Sequence, residues 1–224
     1  MSMTVTEAAR WIVNETAQVA DHLTRYFKQH DDIRTDAKLG FEGRLFERHR
    51  VDSDSFTESD MLAVAALGVQ VRPHIAEHLI DDAGQRWSGQ IKAARAALEP
   101  YKSLADLPEE LVKSGPLFDL YQDLKFFRGL KFNHVTQSKL LATKFPAHVP
   151  IRDRRVAGLL GLTKSNDWWM PMRELLGSPG VRKTLADVQL VGDGAKATLL
   201  RRLDVILWME HLTRERRKSK NTKK

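Results

Sequence analysis

Apolar residues recur at three- and four-residue spacing along almost the whole chain, and period-two alternation is nearly absent. A side chain returns to the same face of an α-helix about every 3.6 residues, whereas a half-buried strand needs strict alternation. The chain is therefore predicted to be all-α. Thr6 to Lys28 reads as a first amphipathic helix through Ala9, Ile12, Val13, Val19, Leu23 and Phe27. A polar loop follows to Gly40 and leads into "FEGRLFERH", Phe41 to His49. Thr57-Glu-Ser-Asp60 has the capping-box pattern that opens a helix, and Pro73 suits the first turn of another. Further helices are expected over Gln85–Leu98, Ser114–Phe127, His134–Thr143, Arg152–Leu160, Ser165–Leu176, Pro179–Val191 and Lys196–Arg216, with a turn at Gly129–Asn133. The seam is expected near Glu99 to Leu107. It gives a lobe over residues 1–100, whose first helix is free to pack with the C-terminal helices, and a second lobe over 101–213.

A chain of 224 residues, 42% of them hydrophobic, is long enough to bury a sizeable core. No apolar run approaches the roughly 20 residues a membrane helix requires, and the N-terminus lacks a basic stretch followed by an apolar one, so no membrane partner and a cytoplasmic location are expected. With no cysteine, thiolate nucleophiles, disulfides, iron–sulfur clusters and thiolate zinc sites are excluded. His74 and His78 stand four apart on a predicted helix, but no third ligand is evident, and neither a metal nor a cofactor is expected. No Gly-rich phosphate loop and no nucleophile elbow are present.

The formal charge of +7 is unevenly spread. Residues 214–224 form a basic tail, expected to be disordered, and the stretch from Lys125 to Arg155 holds a single acid, Asp153, among its cations. Each Lys or Arg that neutralises a phosphate releases counterions, so both stretches suit a polyanion such as nucleic acid. Within "FPAHVPIRDRRV", Asp153 stands among Arg152, Arg154 and Arg155, just after two prolines. One job for such an acid is a helix N-cap; another is to face positive charge developing beside a polyanion.

The segment Phe127 to Leu162, "FRGLKFNHVTQSKLLATKFPAHVPIRDRRVAGLLGL", runs helix, tight turn, short helix, proline-containing loop and new helix. It resembles the helix-hairpin-helix DNA glycosylase superfamily. Thr136 matches the motif threonine, and Asp153 follows seventeen residues later, at the spacing of the catalytic aspartate. It also resembles, over most of the chain, an uncharacterised bacterial family known as a domain of unknown function, through "VTQSKLLATKFPAHVPIRD", "GRLFERH" and "LDVILWM". What the glycosylase resemblance implies is a two-lobed helical bundle with a helix-hairpin-helix motif and a cleft between the lobes. It further implies monomeric action on DNA and hydrolysis of the N-glycosidic bond of a flipped base, in repair or in defence against phage DNA with modified bases.

The motif's glycine-x-glycine is Lys131-Phe132-Asn133 here, so Asn133 is expected to hold the turn in a left-handed conformation and Lys131 to meet phosphate. Val135 stands where bifunctional relatives carry a lysine, which leaves a monofunctional mechanism with Asp153 as the catalytic acid. Lys131, Asn133, His134, Thr136, Ser138, Lys139, Lys144, Arg152, Arg154 and Arg155 are the expected DNA contacts. Phe41, Glu42, Phe46, Glu47 and Trp168 are the expected wall of the base pocket, where stacking and a few polar groups would grip a flipped base. Trp11, Trp87 and Trp208 are assigned to the core. Two rival readings are a non-catalytic DNA-binding helical module and a protein-interaction scaffold.

Overall fold

The computed structural model describes residues 2–30, 35, 40–163 and 167–221. Among these residues every regular element is a helix, as the spacing predicts, and no helix is long and apolar enough to cross a membrane. The chain divides into two compact units, Met1–Phe41 with Arg152–Lys224, and Glu42–Ile151. The first is called here the terminal unit and the second the central unit. The seam expected near Glu99 to Leu107 instead lies inside the central unit. There α6 (Arg86–Leu98) packs on α8 (Pro116–Asp123) across it, so apolar burial joins what the loop composition suggested would part.

In the terminal unit α1 (Val5–Asn14) opens with a capping box, Thr4 with Glu7, and α2 (Thr16–Phe27) follows directly. The single helix expected over Thr6 to Lys28 is thus broken at Glu15, whose ψ of 44° leaves the helical region. The break is slight, because the Glu15 N–H still bonds Trp11 O and its carbonyl still accepts from Val19 N–H, each at 2.9 Å. No glycine or proline marks it. The rest of the unit is α10 (Arg154–Leu159), α11 (Trp169–Gly177), α12 (Pro179–Asp187) and α13 (Leu199–Asn221). Residues 164–166, where the start of a helix was expected, lie outside the described residues. α13 is the spine, against which α2, α10, α11 and α12 pack.

α13 runs on to Asn221, through the segment from Arg214 where a disordered tail was expected. Arg, Lys and Glu are good helix formers, and cations are favoured where a helix's last carbonyls carry partial negative charge. Its middle carries a buried polar network. Glu210, 2% exposed, accepts from Gln18 Nε2 at 2.6 Å and Arg214 Nε at 2.7 Å and lies 3.3 Å from His22 Nε2. Burial alone would raise the Glu210 pKa, but the bonds from His22 and Arg214 outweigh it and hold the carboxyl below its ordinary 4.5. A carboxylate depressed by folding lends stability above its unfolded pKa and loses it as the pH falls through the folded one. Glu210→Gln is therefore expected to cost about 1 to 3 kcal/mol at neutral pH. That gap should narrow as the pH drops below 4.5, checked by thermal unfolding of both proteins across pH.

The central unit is built around α9 (His134–Lys144), in which every residue from Thr136 to Lys144 is buried. α3 (Leu45–His49) packs on α4 (Glu58–Ala66), and both α4 and α8 pack on α9. α5 (Pro73–Asp81) starts on its proline, and the short α7 (Glu109–Lys113) precedes α8. α4 opens on the capping box predicted at Thr57 and Asp60. α9 clamps both ends of it. Lys139 Nζ donates to the carbonyl of Leu67, the C-cap of α4, at 2.7 Å, and Lys144 Nζ lies 2.5 Å from the carboxylate of Asp60 in its first turn. The two helices therefore run antiparallel, with cations from one meeting the free carbonyl and the acid of the other.

Candidate active site and nucleic-acid interface

Asp153 is the N-cap of α10: its Oδ1 accepts from Arg155 N–H at 2.8 Å. Pro150 and the extended backbone at Asp153 (φ −122°, ψ 138°) end the preceding loop and let the helix begin one residue on. The side chain is half-buried and makes no ion pair among the described residues, although three arginines flank it in sequence. One carboxylate oxygen is thus engaged by the cap, and the other is left to accept from water or a ligand.

Two residues on, still within the terminal unit, Arg155 reaches an aromatic cluster. The exposed Arg155 sets its guanidinium 5.2 Å over the ring of Trp208. Trp208 meets Phe41 edge-on at 5.7 Å, and Phe41 stacks on Tyr26 at 5.5 Å with the planes 12° apart. Tyr26 is buried and fixed from behind by Arg201 Nη2, which donates to its hydroxyl at 2.7 Å, while Arg201 itself pairs with Asp204. Phe41 and Trp208 are half-buried, so each keeps some ring surface open. Such rings can stack a flat ligand, and the guanidinium beside them can meet an anion.

Of the expected pocket residues only Phe41 belongs to this cluster. Phe46 and Glu47 are each 1% exposed in the central unit, with Arg50 Nε 3.5 Å from Glu47, so they are interior residues rather than a pocket wall; Glu42 is exposed there. Trp168 is 3% exposed and has no ring surface to offer a base. It points inward at the start of α11, and its neighbour Trp169 is the half-buried one, because adjacent helical residues diverge by about 100°. Tyr26 and Trp208 were missed. They sit in ordinary amphipathic stripes, and nothing local reveals that three distant segments bring them to Phe41.

The expected DNA contacts also divide. Lys131 and Asn133 are exposed on the turn before α9, and His134 is half-buried at its start. Their conformations are the reverse of the expectation. Asn133 is extended (φ −103°, ψ 179°) and its Oδ1 caps α9, accepting from Val135 and Thr136 N–H at 3.0 and 3.1 Å, while Lys131 holds the left-handed position at φ 62°. An N-cap must be extended, so Asn133 cannot also make the left-handed turn. Lys131→Gly is accordingly expected to raise stability by up to about 1 kcal/mol in urea unfolding, since a β-carbon is strained at positive φ.

Arg128 Nη2 lies 2.7 Å from His134 Nε2 and can only donate, so the imidazole accepts there and offers Nδ1–H to the Tyr121 hydroxyl, 3.2 Å away. Thr136 and Ser138 are each 2% exposed; Ser138 Oγ donates to Val135 O at 3.0 Å. Lys139 and Lys144 are each 4% exposed, and their ammonium groups are spent on Leu67 O and Asp60. These four therefore do not meet a DNA backbone: α9 is the buried axis of its unit, and its cations turn inward. Arg152 is half-buried and Arg154 exposed.

A cavity of about 510 Å³ opens in the central unit beside Arg50, Arg95, Lys144 and His148. Its cations are matched: Arg95 pairs with Asp52 at 2.6 Å and Asp54 at 3.1 Å, and Lys144 with Asp60. Burial holds the His148 imidazole below its usual pKa, and it donates Nε2–H to Tyr101 O. Among the described residues no group of three or more His, Asp or Glu could hold a metal ion. No curated protein and no solved structure matches the chain. Residues 19–211, most of its length, match the family of unknown function DUF6308, and the chain belongs to that family.

Proposed function

We propose that the chain is a DNA-binding protein that hydrolyses the N-glycosidic bond of a modified or damaged base, with Asp153 as the catalytic carboxylate. What supports this reading is a half-buried carboxylate with one unengaged oxygen at the start of α10, two residues before the Arg155 whose guanidinium lies over Trp208 in the cluster with Phe41 and Tyr26. The likeness to the helix-hairpin-helix glycosylases through Thr136 and Asp153 agrees with it. In this reading the half-exposed rings receive a base taken out of the DNA stack. The free oxygen of Asp153 orients a water toward C1′ and stabilises the positive charge that grows on the sugar as the bond to the base breaks. The water oxygen bonds to C1′, the base leaves with the electron pair of the broken bond, and the water's proton passes to the carboxylate. With Val135 before Thr136 and no lysine there, the product is an abasic site and not a cleaved strand.

The test is excision. The protein is incubated with duplexes carrying uracil, alkylated purines, oxidised bases, hydroxymethylcytosine or glucosylated cytosine, and abasic sites are revealed by alkali. Alkali-dependent strand breaks at one of these bases are expected. If none yields them, the non-catalytic DNA-binding module becomes the better account, because capping α10 is by itself a sufficient structural job for Asp153.

A further inference from the structure

The central unit carries a feature that excision does not use. Phe126 is 66% exposed, the one aromatic among the large hydrophobic residues left exposed in the described part of the chain, and Leu130, four residues on, is 41% exposed. A phenylalanine on a surface is ordinarily unsupported, but this ring is held. His78 stacks on it at 6.3 Å with the planes 25° apart, Phe127 meets it edge-on at 5.3 Å, and the Arg86 guanidinium lies 5.8 Å from its centre. It lies in the 3-10 turn Leu124–Phe127, which leads into the Gly129–Lys131 bend, where both end residues take positive φ.

Arg86 is matched by Asp123 at 3.2 Å, but the cations of the Lys125–Lys131 segment are not. Arg128 and Lys131 make no ion pair among the described residues, and Lys125 touches only the amide of Gln122. Burial, and after it the charge of Arg128, hold the Lys125 ammonium below its ordinary pKa. Lys131 keeps a backbone conformation that disfavours any residue but glycine. A flat ring held by its neighbours yet 66% exposed, beside cations without ion pairs, suits a base with its phosphates. A protein partner would want an apolar patch depleted in lysine. Within a duplex each base face is already covered, so the open ring can be met only by an unstacked base.

We infer that the Lys125–Lys131 segment is a stacking platform for single-stranded DNA, with an unpaired base on the exposed ring of Phe126 and the neighbouring phosphates on Arg128 and Lys131. It extends the DNA-binding part of the reading above and does not depend on Asp153. The experiment is fluorescence anisotropy of the full chain with a labelled oligothymidylate of about twenty nucleotides, longer than one such platform covers. A duplex of mixed sequence and vesicles of acidic phospholipid serve as the other probes, all across salt.

The single strand should bind more tightly than the duplex. Phe126→Ala should weaken that binding by about tenfold or more without changing its dependence on salt, because stacking is lost and no charge is removed. Phe126→Trp should retain it. Lys131→Gly should bind more weakly and lower the slope of log affinity against log salt by about 0.7, the share of one single-strand phosphate. A Phe126→Ala protein that unfolds as the parent does and binds the single strand equally well overturns the proposal. So does a parent that prefers the duplex or the vesicles. If Phe126 governs binding while no base is ever excised, the platform stands and only the glycosylase reading falls.

Discussion

Lys144→Met is expected to destabilise the protein by about 3 to 5 kcal/mol, the usual result of removing one member of a buried ion pair. The side chains of Lys144 and Asp60 are both 0% exposed, and Lys144 also donates to Val51 O and Ser53 Oγ, each at 3.2 Å. Methionine fills nearly the same volume, so the loss is not one of packing; it is the isolation of the Asp60 carboxylate, whose Oδ1 has no hydrogen-bond partner even in the parent. Adding Asp60→Asn should recover most of the loss, because the amide oxygen still accepts from Thr57 N–H and closes the capping box while the stranded charge is gone. Urea unfolding of the parent, both single variants and the double variant measures the coupling directly. A single-variant loss under about 1 kcal/mol would show that the pair is solvated like a surface bridge.

The pair also has a pH signature. Burial lowers the Lys144 pKa by more than Asp60 raises it, so the unfolded chain binds that proton more tightly. Stability from this group therefore rises as the pH is brought up toward the unfolded value of 10.5, and Lys144→Met should remove that rise.

How much of this could be read from the sequence depends on whether the signal is local. The capping box at Thr57 and Asp60, the proline at the start of α5 and the bounds of α9 are set by residues within one turn of each other, and the sequence displays them. The break at Glu15 is not displayed, since it needs only one backbone angle to leave the helical region while the flanking hydrogen bonds persist. The inward turn of Lys139 and Lys144 is a tertiary fact. A helix whose residues are buried all round normally shows apolar residues all round, whereas α9 buries Thr136, Gln137, Ser138, Lys139, Thr143 and Lys144. The partners of the two lysines lie at the ends of α4 and in the loop before it, roughly 70 to 90 residues away. Asn133 and Lys131 exchanged roles for a different reason. Both residue types are compatible with a turn, and it is the demand of α9 for an extended cap that assigns one of them. The cluster of Tyr26, Phe41 and Trp208 is invisible locally because it is assembled from three segments. Asp153 was legible as an N-cap from its place after Pro150, and its free oxygen became visible only with the structure.

Asp153→Asn is expected to reduce base excision by a factor of about a hundred or more while leaving DNA affinity unchanged or slightly raised. The separation is possible because the two jobs of this side chain ask for different things. Capping α10 needs one acceptor oxygen opposite Arg155 N–H, which asparagine supplies as well as aspartate, so unfolding should be unaffected. Stabilising a cationic sugar needs the charge, which asparagine lacks. Binding gains slightly because an acid is removed from among Arg152, Arg154 and Arg155 where phosphates are to be neutralised. Asp153→Ala is the companion measurement: it should lose excision equally and additionally cost about 1 kcal/mol of stability for the cap. Excision that persists in Asp153→Asn would place the chemistry on another group, whereas excision lost only in Asp153→Ala, in step with stability, would reduce Asp153 to its structural role.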